Sequence, residues 1–377
     1  MNRSHFMQGF ALFSLAVALV GCDPNKNNAT DTGGGTTKAA PETPTAATGT
    51  PAASPFDTPR KTSGDLTIKV ITNGRDPFWD TMGKGLDAGL KEAGAKGGWI
   101  PPDKTDNVGQ SDTFDQQVAA GVDGIAVSPI NAEAFSSVID KAITESKIPV
   151  VTFDSDAPNS KRLVYIGTIN YNAGVEAGKA AIKLFPNGGN LVAFVGNMTA
   201  DNAKQRYQGF VDTVKGHNIT MLQEPFEDNK DQAGKAHTNV VDAMTKYGDK
   251  INGLVGLYAY NGPAIVDEVG KAGKQDKIKI ICFDGVSATL DNLKNKKIAV
   301  TVVQRPYEFG RVSAKVLTLI NRKGLKAALE ELKPELEKEG MKVDVEKHVI
   351  DTGVQVVYPE TAAPFLKELQ AKGLSST

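Results

Sequence analysis

The chain runs to 377 residues, with 43 lysines and arginines against 44 aspartates and glutamates. That balance, with no basic stripe, excludes a surface built for nucleic-acid phosphates. Two cysteines, Cys22 and Cys282, and four scattered histidines supply neither a disulfide framework nor a metal-ligand spacing.

At the start, Arg3 precedes an almost unbroken apolar stretch from Phe10 to Val20, and small residues lead to Cys22. This is the layout of a secretory signal, and the run is too short to span a bilayer. The tetrad Leu19, Val20, Gly21, Cys22 resembles the lipobox of bacterial lipoproteins, which implies a signal peptide over residues 1–21 and a lipid on Cys22. Cys282 is then unpaired; within the apolar run IKIICFD it reads as a small buried hydrophobe. Residues 22–65 are rich in Thr, Ala, Pro, Gly, Asn and Ser with few large apolar side chains, so they are expected to form a disordered tether. Its typical reach is roughly 35 Å.

From Leu66 the pattern changes. LTIKVIT at Leu66, GIAVSP at Gly124, IPVVTFD at Ile148, LVYIG at Leu163 and NLVAFVG at Asn190 read as buried strands, followed by GLVGLY at Gly253, IKIICFD at Ile278 and IAVTVV at Ile298. Between them, segments starting at Phe78, Ala132, Ala173, Ala203 and Ala264 carry apolar residues at three- and four-residue spacing. Continuous apolar strands alternating with amphipathic helices predict an α/β fold with doubly wound parallel sheets. The pattern is too long for one domain of about 150 residues, so two lobes are expected. A charged stretch, LKAALEELKPELEKE from Leu325, reads as a solvated helix added before the last strands.

In such sheets ligands sit outside the carboxyl ends of the strands. Those ends are polar and aromatic here: Asn73, Asp76, Phe78 and Trp79 after the first strand, Asp154, Ser155 and Asp156 after IPVVTF, Arg206 on the helix after NLVAFVG, Asn261 after GLYAY, Asp284 after IKIICF, and Gln304 after IAVTVV. Singly, each is explained by capping, solvation or core packing. Together they supply carboxylates, amides, a guanidinium and aromatic faces, the chemistry that holds a polyol.

DPFWDTMGKGLDAGLKEAG, IPVVTFDSDA, KQRYQGF, YAYNGPA, IICFDG and VTVVQRPYEFG, in this order, resemble the type I periplasmic binding proteins of the ribose/galactose branch. The resemblance implies two lobes joined by three crossovers near Thr168, Gln304 and Thr352: residues 66–168 with 305–352, and 169–304 with 353–377. It implies ligand contacts at Asp76, Phe78, Trp79, Asp154, Arg206, Asn261, Asp284 and Gln304, with Ser155 beside them. Ribose binders commonly carry Arg where this chain has Ser155, and an aromatic where it has Asn229 and Lys230. Both departures point to a ligand bulkier or more hydroxylated than ribose.

The glycine pattern GKGLDAG at Gly83 misses the dinucleotide fingerprint, GVEAGKA at Gly174 misses the Walker loop, and DKTDNVG at Asp103 misses the calcium loop. No cofactor and no metal are expected, and no enzymatic activity. The function implied is a monomeric, lipid-anchored, periplasmic or otherwise extracytoplasmic solute-binding protein that captures a small carbohydrate for the ABC permease of the cytoplasmic membrane. The alternative keeps the same pocket but presents the sugar to a chemoreceptor or sensor kinase.

Overall fold

The computed structural model describes residues 54–75, 78–228, 234–371 and 373–377. The signal peptide, Cys22 and most of the expected tether lie outside the described residues, as do Asp76, Asn229 and Lys230. The first half comprises β1 (Thr67–Ile71), α1 (Phe78–Ala93), β2 (Lys96–Ile100), α2 (Asn107–Ala119), β3 (Gly124–Val127), α3 (Ala132–Thr144), β4 (Val150–Phe153) and β5 (Tyr165–Gly167). The chain then runs through α4 (Asn170–Leu184), β6 (Gly189–Val195), α5 (Asp201–Val214), β7 (Ile219–Met221), β8 (Phe226–Glu227) and α6 (Lys235–Tyr247). It continues with β9 (Gly253–Gly256), α7 (Asn261–Lys271), β10 (Lys279–Phe283), α8 (Ser287–Lys294) and β11 (Val300–Val303). Last come α9 (Pro306–Lys323), α10 (Leu325–Lys338), β12 (Lys342–Asp344), β13 (Val349–Asp351), β14 (Gln355–Val357) and α11 (Ala362–Ala371).

These strands form two sheets, ordered β2-β1-β3-β4-β5-β13-β12 and β7-β6-β9-β10-β11-β14, with β8 beside β6. Through the first five strands the two orders correspond, so the same doubly wound plan is used twice. The chain passes between sheets after β5, after β11 and after β13. β3, β4, β9 and β11 are buried throughout, because helices cover both faces of each sheet. The sheets are mixed rather than wholly parallel: β12 runs antiparallel to β13, and β14 antiparallel to β11. Among the described residues, two helices begin on side-chain caps, with Asp106 accepting from the Gly109 N–H (2.7 Å) and Asn131 from the Ala134 N–H (2.9 Å).

Two segments differ from expectation. The stretch 54–65, read as the end of the tether, is packed on the first lobe. Phe56 is buried in its core, the Phe56 carbonyl accepts from the Leu325 N–H at the start of α10 (2.7 Å), and the N–H groups of Arg60 and Lys61 donate to the Asn321 carbonyl near the end of α9 (2.9 and 3.0 Å). One aromatic anchor, worth about 1.5–3 kcal/mol on burial, and backbone bonds that satisfy two helix ends hold a segment whose composition is otherwise that of a linker. α10, in turn, is solvated on one face only: Leu325, Ala328, Leu329, Leu332 and Leu336 are buried in the same core. Carboxylates on α10 and just beyond it grip α9, where Arg311 pairs with Glu335 and with Glu339 as well as with Glu92 on α1.

The glycine-rich patterns serve helix packing. A Cβ on Gly85 of α1 would overlap the Tyr307 carbonyl of α9, and one on Gly174 of α4 would overlap the Arg206 carbonyl of α5. Gly85→Ala is therefore expected to destabilise the protein by about 1–3 kcal/mol through overpacking against backbone that cannot yield. Thermal denaturation reads this, and a melting temperature equal to the wild type's would show that the two helices part at no cost. Cys282 is buried in β10, and burial pushes its thiol up to about 12, so it packs as a hydrophobe.

Candidate ligand-binding cleft

The carboxyl ends of the two sheets face one another. Between them lies a small cavity lined by Phe78 and Trp79 from the start of α1, Asp154 after β4, Arg206 on α5, Asp284 after β10 and Gln304 after β11. Strand-end logic thus brings these six residues together. Asp154 and Asp284 follow corresponding strands of the two sheets, and both hold a left-handed backbone, with φ +57° and +67°. Such a conformation is uncommon outside glycine and is tolerated by Asp and Asn. It turns the chain sharply, so that the carboxylate and not the next residue meets the cavity.

That turn explains one correction. Ser155 does not line the cavity; its hydroxyl is buried without a partner, and its N–H faces the Ser128 hydroxyl at 3.4 Å. Asn261 also lies behind the wall. Its Oδ1 accepts from the Tyr258 N–H (3.0 Å) and its Nδ2 donates to Asp228 (3.0 Å), so the side chain is occupied in shaping the turn into α7. Asn202, Tyr258, Ala259 and Tyr260 complete the lining, together with Asn73, which stood among the polar strand ends but outside the expected contacts. They too follow strands: Asn202 lies beyond β6, and Tyr258 to Tyr260 follow β9 within the YAYNGPA segment.

The first-lobe wall is held by a relay. Asn73 Nδ2 donates to Ser128 Oγ (3.0 Å), and Ser128 Oγ donates to Asp154 Oδ2 (3.1 Å). Gln110 pins the ends of β1 and β3 through the carbonyls of Thr72 and Ser128 (3.0 and 2.8 Å). Trp79 stands edge-on to Phe78 and Phe153, with centroids at 4.9 and 5.9 Å.

Across the cleft, Asn202 Nδ2 donates to Asp154 Oδ2 (3.1 Å) and Tyr258 Oη donates to Asn202 Oδ1 (3.0 Å). Arg206 is 1% exposed. Its Nε donates to Asn170 Oδ1 (2.8 Å), Nη1 to the Leu257 carbonyl (2.9 Å), and Nη2 lies 3.7 Å from Asp154, while the guanidinium covers the Phe283 ring at 4.9 Å. Gln304 Nε2 donates to Asp284 Oδ1 (3.0 Å).

Among the described residues, three buried polar atoms of the lining side chains have no hydrogen-bond partner: Trp79 Nε1, Arg206 Nη2 and Gln304 Oε1. Two are donors and one is an acceptor, beside two carboxylates that accept. A molecule carrying hydroxyls, each both donor and acceptor, satisfies such a set. The cavity itself is only about 30 Å³, room for a water or two. The cross-lobe bonds of Asp154 close it, so a larger molecule enters only when these bonds part.

Beside the cleft, Asp201 opens α5 and accepts from Gln205 Nε2 (2.6 Å). Burial first, then the charge of Asp156, push its carboxyl up to about 6, against the pull of Lys204 and Arg162. With a folded value above the unfolded one near 3.9, the native state binds more protons between about pH 4 and pH 6. The stability this confers is complete below the unfolded value and is lost as pH rises through the folded value. Asp201→Asn is expected to flatten that part of the stability curve. Denaturation midpoints at about pH 4 and about pH 7 measure it; a pH difference as large as the wild type's would contradict the assignment.

Two α/β lobes joined by three crossovers, with a polar cleft between their carboxyl edges, define a clamshell binding protein of the type I fold. The chain belongs to the periplasmic binding protein family, whose domain matches residues 69–325. It is similar to the ribose import binding protein RbsB of Bacillus subtilis, 24% identical over 66% of this chain and 78% of the relative. It is also similar to the fructose import binding protein FruE of Bifidobacterium longum, 26% identical over 68% of this chain and 79% of that one. Among solved structures, GanP, a glucose-galactose binding protein from Geobacillus stearothermophilus, superposes with a TM-score of 0.69 at 27% identity, covering 79% of this chain and 99% of its own. Family membership implies an extracytoplasmic location.

Proposed function

We propose that this protein is an extracytoplasmic solute-binding protein that captures a small carbohydrate, a sugar or sugar alcohol, and delivers it to an ABC permease in the cytoplasmic membrane. The observation that carries this reading is that, among the described residues, the buried donors Trp79 Nε1 and Arg206 Nη2 have no hydrogen-bond partner and belong to side chains that line one cavity with Asp154 and Asp284. The carboxylates accept from hydroxyls, the guanidinium and indole N–H donate, and the aromatic faces cover C–H surface. The relatives named for ribose and fructose import, and the solved neighbour named for glucose and galactose, support the same class.

A thermal-shift panel of pentoses, hexoses, polyols and uronic acids tests the proposal, together with mass spectrometry of small molecules released from the denatured protein. At least one carbohydrate is expected to raise the melting temperature; a panel without any shift, and no carbohydrate released, would overturn it. One solved neighbour is the XylFII–LytSN complex, 26% identical with a TM-score of 0.67. It supports a second reading in which the loaded lobe is presented to a sensor; co-purification with a permease or with a sensor kinase separates the two.

We further propose that the protein is a monomer held to the membrane by a lipid on Cys22. Cys22→Ser is expected to abolish incorporation of a fatty-acid analogue and to release the protein or leave it unprocessed. Label retained in the variant would place the lipid elsewhere.

A further inference from the structure

On the hinge side of the cleft lies a second cavity of about 440 Å³, within the range of about 300–1,000 Å³ usual for small-molecule sites. Two crossovers wall it: Gln304 and Arg305 after β11, and Thr352 and Gly353 after β13. Its apolar flank is Val303, Phe365, Leu369 and Leu374. Two lining side chains that are almost fully buried, Gln304 and Thr352, carry atoms without a hydrogen-bond partner among the described residues, Oε1 and Oγ1. Among the lining charges, Arg305 is occupied: it donates to the carbonyls of Glu339 (3.1 Å) and Thr352 (3.4 Å) and lies 3.7 Å from Glu308. Glu368 lines the rim of the same cavity, is exposed to solvent and enters no ion pair among the described residues.

We infer that this hinge cavity is a second binding site, for a small organic ammonium with an apolar body, and that its occupancy is coupled to the cleft through Gln304. Of the buried groups without a partner, Gln304 Oε1 accepts a hydrogen bond and the Thr352 hydroxyl does either, while the exposed Glu368 carboxylate supplies a negative charge at the rim. A cation with N–H donors and a hydrocarbon or aromatic body matches both the charge and the flank. Gln304 lines both cavities, and its Nε2 already donates to Asp284 Oδ1. A donor bound at Oε1 holds the amide in that orientation and so holds Asp284. Linkage then requires that each occupant tighten the other by the same factor.

The probe is 2-phenylethylamine, with neutral 2-phenylethanol as its isostere, titrated by calorimetry into the full-length protein without sugar. Saturable binding of the amine is expected, weaker by roughly three- to five-fold for the alcohol and for the amine with Glu368→Gln. A similar loss is expected with Thr352→Val, which keeps the buried shape. Absence of saturable amine binding, or binding that both variants leave unchanged, would overturn the site. The coupling rests on the carbohydrate reading and is measured separately, as the affinity for the sugar found by the panel with and without saturating amine. Equal affinities would refute the coupling, whereas failure of every sugar to bind would refute the proposed function and leave the amine titration to decide the cavity.

Discussion

Asp284→Asn is expected to weaken binding of the cleft's carbohydrate by ten- to several-hundred-fold while leaving the fold close to wild type. The carboxylate follows β10 at φ +67°, a conformation that Asn adopts readily. Backbone bonds that the substitution does not touch fix its position: the Asp284 N–H donates to the Val302 carbonyl (2.8 Å), and the Asp284 carbonyl accepts from Thr301 Oγ1 (2.7 Å). What changes is the side chain's charge and one acceptor. Hydrogen bonds to a charged group contribute about 1.5–3 kcal/mol each, and about 1.4 kcal/mol is a factor of ten in affinity, so one or two such bonds to sugar hydroxyls span the stated range. Asp284→Ala is a poorer test, because alanine in the left-handed region adds about 1–2 kcal/mol of backbone strain. Calorimetry with wild-type affinity in Asp284→Asn would remove Asp284 from the site.

The parts of the fold legible in the sequence are those where burial leaves a mark on residue type. β3, β4, β9 and β11 are covered on both faces, so they read as uninterrupted apolar runs. β2 does not: KGGWI is an edge strand with two glycines and no wholly buried position. β7, β8, β12, β13 and β14 are edge or short strands of two or three residues, with too little buried surface for a period to show. Phe56 was illegible for a different reason. A single aromatic in a polar segment has no pattern, and only the ends of α9 and α10 give it a place to dock.

The candidate site shows the same division. Position after a strand picks out Asp154, Asp284 and Gln304, because doubly wound sheets put these ends in the crevice. Which neighbour shares the wall is decided by backbone dihedrals and local hydrogen bonds. A left-handed Asp154 turns Ser155 away, and Asn261 is spent on the Tyr258 N–H and on Asp228. Tyr258 and Tyr260 were signalled only by their place after β9, a rule applied there to Asn261 instead.

Arg206→Met is expected to cost about 3–5 kcal/mol of stability and to abolish carbohydrate binding, the largest effect of any single substitution considered. The side chain is the largest fully buried one among the described residues. Removing its charge takes the guanidinium away from Asp154, takes a donor from Asn170 Oδ1 and another from the Leu257 carbonyl, and ends the contact with the Phe283 ring. Breaking a buried pair by removing one partner is costly because the other charge stays buried, and methionine matches the arginine stem in length but satisfies none of these groups. Arg206→Lys keeps the charge yet offers one ammonium where three separate acceptors are spaced around a planar fork. A double-mutant cycle separates the pair from the packing: Arg206→Met with Asp154→Asn removes both charges, so it should recover part of the lost stability without recovering binding. Denaturant midpoints read the first quantity and calorimetry the second. A variant Arg206→Met as stable as wild type would mean that Asp154 does not need the Arg206 guanidinium in the closed cleft, and strictly additive losses in the double variant would mean that the two groups do not act as a pair.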